Sequence, residues 1–296
     1  MIRILGTTFA GLLGLAFGSF LNVCLSRWPA GESIVHPRSH CRNCDHSLAW
    51  WENVPLVSWL FLRGRCRNCK TWIGIRYPLV ELAIGVLWAI EFWRQSPFFQ
   101  TFDGEFLWDY SVRVSGIEVL IGMALLYFLL VGLSILDAEH LWLPDVVTVP
   151  GIAAGILYSI SLIWESVNYI TIQPPIWQTI VEYIFGILAA GALILLIRWL
   201  YKLIRHREGL GLGDAKLMAL LAAWLGLPGA LLAFALGSVL GALVALALLA
   251  IPSMRANPQS WATSKLPLGT FLCIGGIVSS LWGQPIIAAY LRWAAF

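Results

Sequence analysis

Two aspartates lie at the ends of long apolar runs: Asp137 in Leu136-Asp137-Ala138-Glu139, and Asp214 closing Gly211-Leu212-Gly213-Asp214. A carboxylate beside hydrocarbon is costly, so a pair of them points to function. Two carboxyl groups held close together cannot both ionise comfortably, and one keeps a proton while the other stays charged. The charged member can take a proton from water and the neutral member can polarise a peptide carbonyl, which is the chemistry of aspartyl peptide hydrolysis. Such a pair titrates jointly, so the sequence assigns the shared proton to neither residue. Gly211 and Gly213, without side chains, let the backbone beside Asp214 turn sharply and a substrate strand approach it closely.

A second constellation is built from thiols. Cys41-Arg42-Asn43-Cys44 and Cys66-Arg67-Asn68-Cys69 are two Cys-x-x-Cys pairs with 21 residues between them. That pattern suits four thiolates around one tetrahedral zinc, two from each knuckle, with a separation one residue beyond the usual range. Paired disulfides or redox thiols compete with this reading, but the segment is placed below in the reducing cytoplasm, where disulfides rarely persist. His40 beside the first pair is an alternative ligand to one thiolate. Cys24 and Cys273 lie in apolar surroundings and read as small core residues. Residues 28–76, which hold the four cysteines, are polar, basic and loop-like, and about 50 residues make a marginal core that a metal would stabilise.

The elements that must position these groups are set by composition. Of 296 residues 59% are hydrophobic and 12% charged, with a mean hydropathy of +0.79, against about 25% charged in soluble domains. The chain is therefore expected to be an all-α polytopic membrane protein. Crossings are expected near 4–26, 77–93, 116–136, 146–164, 178–201, 215–227, 229–251 and 268–292, about eight in all. The expected domains are a first anchor, 1–27, the four-cysteine domain, 28–76, and a membrane peptidase domain, 77–296. Leu217 to Met254 carries no charge over 38 residues and is interrupted by Gly226-Leu227-Pro228-Gly229, which reads as a helical hairpin. Its first arm, Asp214 to Leu227, is 14 residues long, or about 21 Å of helix. An arm that short crosses only if Asp214 starts inside the membrane near one face. Pro285 is expected to break the last span.

Basic residues set the orientation. Segments 27–76, 198–216 and 252–267 hold 15 of the 19 Lys and Arg residues. Eight alternating crossings place all three on the cytoplasmic side, with both aspartates at that face and both termini outside. Asp103, Glu105 and Asp109, and a nearly uncharged loop around Pro174 and Pro175, fall on the other side. The first apolar run has only Arg3 before it and no small-residue cleavage pattern after it, so it reads as a retained anchor. The net charge of +3 follows from this bias and calls for no nucleic-acid partner. Tryptophans near span ends form an interfacial belt in contact with lipid. Nothing in the sequence specifies an oligomeric state.

Other readings of the aspartates exist. An Asp at a helix start is often an N-cap favoured by the helix dipole. A proton-relay pair in a transporter or channel, or a nonenzymatic scaffold presenting a zinc ribbon, would also use these features.

The motifs taken together resemble one family. Gly18-Ser19-Phe20-Leu21-Asn22-Val23, Pro37-Arg38-Ser39-His40-Cys41, both Cys-x-x-Cys pairs, Arg76-Tyr77-Pro78-Leu79-Val80-Glu81, Asp137 followed by Leu143-Pro144-Asp145, and Gly211-Leu212-Gly213-Asp214-Ala215-Lys216-Leu217 occur in the order found in type IV prepilin leader peptidases. The resemblance covers about residues 10 to 275. It implies that Asp137 and Asp214 are catalytic, that prepilins and pseudopilins lose a basic leader at the cytoplasmic face of a bacterial inner membrane, and that S-adenosylmethionine serves as donor for N-methylation of the new amine. No Gly-x-Gly-x-x-Gly motif marks a donor site. Asp145 is assigned a supporting part, as N-cap of the fourth span, and Lys216 is expected to snorkel toward phosphates. Glu139 and Glu208 are candidates for attracting the basic leader, against solvated loop charges as the plain alternative. Gly-x-Gly-Asp also occurs in the presenilin and signal peptide peptidase group, whose proline-leucine signature Pro267-Leu268-Gly269 faintly resembles. That group pairs the motif with a Tyr-Asp helix, whereas Asp137 follows Leu136, and it lacks the cysteine domain.

Overall fold

Long charge-free runs make helices because only a helix pairs every backbone N–H and C=O within its own segment. The structure, a computed structural model, describes residues 2–96, 110–169, 175–206, 211–250 and 266–294. Asp103, Glu105, Asp109, Pro174, Arg207, Glu208, Arg255 and Lys265 lie outside them. The long elements are α1 (Ile2–Arg27), α3 (Arg76–Gln95), α4 (Tyr110–His140), α5 (Asp145–Tyr169), α6 (Ile176–Arg205), α7 (Leu212–Ala250) and α8 (Leu268–Trp293), with a 3-10 turn at Trp50–Asn53 and a short α2 (Val57–Phe61) between α1 and α3. Among the described residues there is no strand beyond two isolated bridges. Six of these helices are long and apolar enough to cross a membrane. The protein is thus an all-helical multi-pass membrane protein with a small cysteine-bearing insertion between its first two long helices.

Residues 1–132 form one unit and 133–296 another. In the first, α1 and α3 meet along a seam without side chains. A Cβ on Gly18 would sit 2.6 Å from Glu81 Cα, and one on Gly14 2.9 Å from Gly85 Cα, so the helices approach as closely as backbones allow. α3 carries charges that its neighbours satisfy: the buried Glu91 accepts hydrogen bonds from Tyr127 and Gln95, and the buried Glu81 accepts one from the Leu56 backbone. Asn22 on α1 reaches the Tyr77 carbonyl at 2.9 Å, joining α1 to the end of the insertion.

In the second unit α7 is two helical arms meeting at Gly226, whose φ of 69° and ψ of 172° end the first arm. That left-handed conformation is open to glycine and strained for other residues. Pro228 begins the second arm, where a missing N–H costs nothing. The break frees the Ala223 carbonyl, and neighbours take it up: Ser159 of α5 at 3.0 Å and Tyr183 of α6 both donate to it. The second arm packs on α8, with Ser279 donating to the Gly229 carbonyl at 2.8 Å. The expected break at Pro285 does not occur. α8 runs through it to Trp293, because Pro285 faces outward and membrane helices accommodate a proline without ending.

Candidate active site and metal centre

Asp137 is in the last turn of α4. The helix closes just beyond it with Leu141 in the left-handed region, φ 50°, its N–H bonded to the Asp137 carbonyl at 2.9 Å. Leu143 and Pro144 then lead directly into α5. Asp137 is 6% exposed, and its carboxylate lies at the N-terminus of α8. The Thr270 backbone N–H donates to Oδ2 at 2.7 Å, and the Thr270 hydroxyl contacts the same oxygen at 3.3 Å. The Thr270 hydroxyl meanwhile donates to the Ser134 carbonyl at 2.9 Å.

Asp214 is similarly placed on a different helix. Gly211 is the residue before α7, so Asp214 occupies the third helical position rather than the N-cap itself. Its Oδ2 turns back to accept the Gly211 N–H at 3.0 Å, the side-chain half of a capping box. Both carboxylates therefore rest at helix N-termini, where unpaired amides and the dipole favour an anion. Leu143 fills the space between the two supports: a Cβ on Gly213 or on Gly269 would each stand 3.1 Å from its side chain. The glycines at 211 and 213 thus leave room for the Asp214 carboxylate and for Leu143.

The remaining acidic candidates stand apart. Asp145 is the first residue of α5, and it is the Pro144 carbonyl that takes the Val147 and Thr148 amides. Its side chain does not cap the helix; it pairs with the Lys216 ammonium on α7. Lys216, expected to extend toward phosphates, is held by this ion pair instead. Glu139 is exposed, 3.9 Å from His140, and Glu208 lies outside the described residues. The sequence reading missed Gly269, Thr270 and Leu143. The signal for the first was present in Pro267-Leu268-Gly269, but nothing in the sequence places that triplet against Asp137.

The four cysteines do converge. Their sulfurs lie within 4.8 Å of one another, with Cys41 to Cys69 at 3.8 Å and Cys44 to Cys66 at 4.0 Å. Tetrahedral zinc with bonds of about 2.3 Å places its sulfurs about 3.8 Å apart, so the donor set fits a metal such as zinc. The knuckles repeat each other. Cys41 N–H bonds to the His46 carbonyl and Cys66 N–H to that of Thr71, both at 2.9 Å, and Asp45 and Lys70 each adopt a positive φ. Asn43 reaches Cys69 Sγ and Asn68 reaches Cys44 Sγ, the cross-donation that supports metal thiolates. Hydrogen bonds with the Thr71 hydroxyl and backbone and with Asn43 pull the Cys69 thiol down to about 5, favouring the thiolate a metal needs. His40 is not in the cluster; its Nδ1 lies 3.0 Å from the Arg38 carbonyl.

A multi-pass helical membrane protein with two buried carboxylates at helix N-termini and a cluster of four thiols is the arrangement expected of a membrane-embedded peptidase. Residues 12–95 match the bacterial peptidase A24 N-terminal domain and residues 123–246 the type IV leader peptidase family. Similar proteins named prepilin leader peptidase/N-methyltransferase occur in Stutzerimonas stutzeri, 33% identical over 96% of this chain and 93% of that protein, and in Pseudomonas putida, 34% over 98% and 95%. One from Myxococcus xanthus is 37% identical over 88% of this chain and 68% of its own length. No solved structure matches the chain. The chain belongs to the type IV leader peptidase family.

Proposed function

We propose that the chain removes the basic leader from type IV prepilins and pseudopilins by aspartyl proteolysis and N-methylates the amine so exposed. The observation that carries this reading is that the Asp137 and Asp214 carboxylates rest at the N-termini of two different helices, α8 and α7, whose Gly269 and Gly213 both abut Leu143. It is supported by relatives whose printed names join the two activities.

In the peptidase step, the ionised member of the Asp137–Asp214 pair takes a proton from water as the water oxygen attacks the scissile carbonyl. The protonated member donates a hydrogen bond to the carbonyl oxygen, and as the C–N bond breaks a proton passes to the leaving nitrogen. A substrate whose apolar helix lies in the bilayer brings its scissile bond to the level of the pair, so the membrane supplies much of the orientation. We place this site at the cytoplasmic face of a bacterial inner membrane, with α3 and both arms of α7 crossing separately to give eight spans. Glu139 and Glu208 attract the basic leader. Segment 28–76 is a lobe in which Cys41, Cys44, Cys66 and Cys69 hold structural zinc, and residues 77–296 form the peptidase part. S-adenosylmethionine supplies the methyl group as an electrophilic carbon on a sulfonium.

The test is leader removal from a prepilin by purified protein in lipid. Asp137→Asn and Asp214→Asn, each near-isosteric, are expected to abolish cleavage; cutting at the wild-type rate by either variant rejects the aspartyl mechanism. Labelled methyl donor with a cleavable prepilin, yielding unlabelled mature product, rejects the methylation alone.

A further inference from the structure

The cysteine lobe leaves α1 at Arg27 and rejoins the long helices at Arg76, the start of α3. Between these points Leu56, the residue before α2, adopts a φ of 59° and donates its N–H to the buried Glu81 at 2.8 Å. Glu81 is level with Gly18 of α1, where an added Cβ would stand 2.6 Å from Glu81 Cα. Gly18 lies nine residues before Arg27, about 13 Å back along the helix, inside the Arg3–Arg27 stretch that is long and apolar enough to cross a membrane. The Glu81 side chain leans toward the N-terminus of α3, as helical side chains do, which takes back only part of that distance. The bond therefore holds the start of α2 beside the last turns of α1 rather than beyond them.

At that level α2 turns an apolar face outward. Val57, Leu60 and Phe61 are 61%, 68% and 79% exposed, and residues three and four apart share one side of a helix. Trp72, also exposed, continues the face: its ring lies 2.8 Å from where a Cβ on Gly64 would stand, three residues beyond Phe61. Contiguous apolar side chains left outside a fold mark a contact surface. The rim of this one is purely cationic. Arg63 follows α2, and Arg65 pairs with Trp72 through a backbone bridge. Both are exposed, and neither makes an ion pair among the described residues. Residues 53–80 hold five Lys and Arg and no Asp or Glu, and the carboxylates on either side, Glu52 and Glu81, are buried.

We infer that α2 and the turn joining it to Trp72 form a foot by which the cysteine lobe rests on anionic phospholipid, in the leaflet on its own side of the membrane. Val57, Leu60 and Phe61 enter the boundary between headgroups and acyl chains, Trp72 lies among the headgroups, and Arg63 and Arg65 pair with lipid phosphates. An apolar helix from a partner protein would cover the centre of this surface and leave the cations unanswered. An acidic peptide would answer the cations and leave Phe61 in water. An anionic lipid surface does both, and the Leu56–Glu81 bond already sets the foot at its depth. The lobe is thus held to the membrane by its own surface as well as by the two helices it joins.

The experiment uses full-length, zinc-loaded protein, in which zinc shields the four lobe thiols and Cys24 and Cys273 are buried. Phe61→Cys then offers one reactive thiol for a nitroxide, read in vesicles of phosphatidylcholine mixed with phosphatidylglycerol. The label is expected to meet dissolved oxygen more often than a water-soluble nickel chelate, as a group among acyl chains does. A label open to the chelate overturns the proposal, and so does one shielded from both reagents, which would place a second copy or another protein over α2. Lipid retention counted by native mass spectrometry tests the charges. Arg63→Glu with Arg65→Glu is expected to lower the preference for phosphatidylglycerol over phosphatidylcholine by about tenfold, with zinc retained, and an unchanged preference overturns the assignment to anionic lipid. Should the double variant lose its zinc, added salt on the unaltered protein decides: a preference that falls with ionic strength supports the foot, and one indifferent to salt overturns it.

Discussion

Thr270 donates its backbone N–H to Asp137 Oδ2 at 2.7 Å while its hydroxyl bonds the Ser134 carbonyl one turn earlier on α4. The first turn of α8 is thereby clamped onto the last turns of α4, and Asp137 is held by a backbone amide that no side-chain truncation removes. Gly269 makes the approach possible, since a Cβ there would stand 2.9 Å from Asp137 Oδ2 and 3.1 Å from Leu143 Cδ1. Gly269→Ala must therefore displace the carboxylate. Ordinary contact is restored by a shift of some tenths of an ångström, against a displacement of about 1 Å for a hundredfold loss, so leader cleavage by this variant is expected to fall by about tenfold with zinc content unchanged. Thr270→Val keeps the N–H and loses the hydroxyl, a change of about 1 kcal/mol, or roughly fivefold in kcat. Steady-state cleavage assays with both variants check the ordering.

Asp145 pairs with Lys216 across α5 and α7, and both side chains are substantially exposed, 64% and 39%. Exposed pairs contribute about 1 kcal/mol or less. Asp145→Asn is expected to leave cleavage within about fivefold of wild type. Its behaviour beside Asp137→Asn separates a supporting acid from a catalytic one only eight residues away, and the same prepilin assay reads it.

Metal removal is expected to act on the cysteine lobe. Cys41→Ser or Cys66→Ser should lower bound zinc from one per chain toward none, measured by elemental analysis, and expose residues 28–76 to protease. In chelated protein the lobe thiols Cys41, Cys44, Cys66 and Cys69 are expected to be alkylated before the buried Cys24 and Cys273, and zinc is expected to protect them. Mass spectrometry after a brief iodoacetamide pulse at pH 6 to 7 reads the order.

How much of this was legible in the sequence depended on whether the signal was local. The helices follow from charge-free runs, the short arm from Gly226 and Pro228, and the four-cysteine cluster from repeated Cys-Arg-Asn-Cys knuckles, all of which act within a few residues of chain. The partners of Asp137 were hidden because they come from Gly269 and Thr270, more than 130 positions away, and one apolar helix reads much like another when lipid and protein neighbours are equally apolar. Asp145 was misplaced as a cap for a related reason. An Asp near a helix start satisfies the capping pattern, and only the fold shows that Pro144 takes that position while Lys216 supplies a better partner. Pro285 was read as a break because interior proline costs about 3 kcal/mol in a soluble helix, a penalty that an outward-facing site in an apolar helix absorbs.

The same locality explains what keeps the Asp214 arm in place. Ending a helix at Gly226 inside an apolar layer frees carbonyls that have no water to turn to, and Ala223 is served by Tyr183 and Ser159 from two other helices, while Trp224 donates to the Gly151 carbonyl at 2.9 Å. These bonds anchor the far end of the arm whose first turn carries Asp214. Tyr183→Phe leaves Ser159 as the remaining donor to Ala223, and is expected to cost about 1 kcal/mol, whereas Tyr183→Phe with Ser159→Ala leaves the carbonyl buried and unpaired at about 1 to 3 kcal/mol beyond that. The double variant is expected to lose more than the sum of the single losses, because either donor alone satisfies the oxygen. Thermal inactivation of leader cleavage in nanodiscs measures this: simple additivity would mean that the Ala223 carbonyl is not what these two hydroxyls serve.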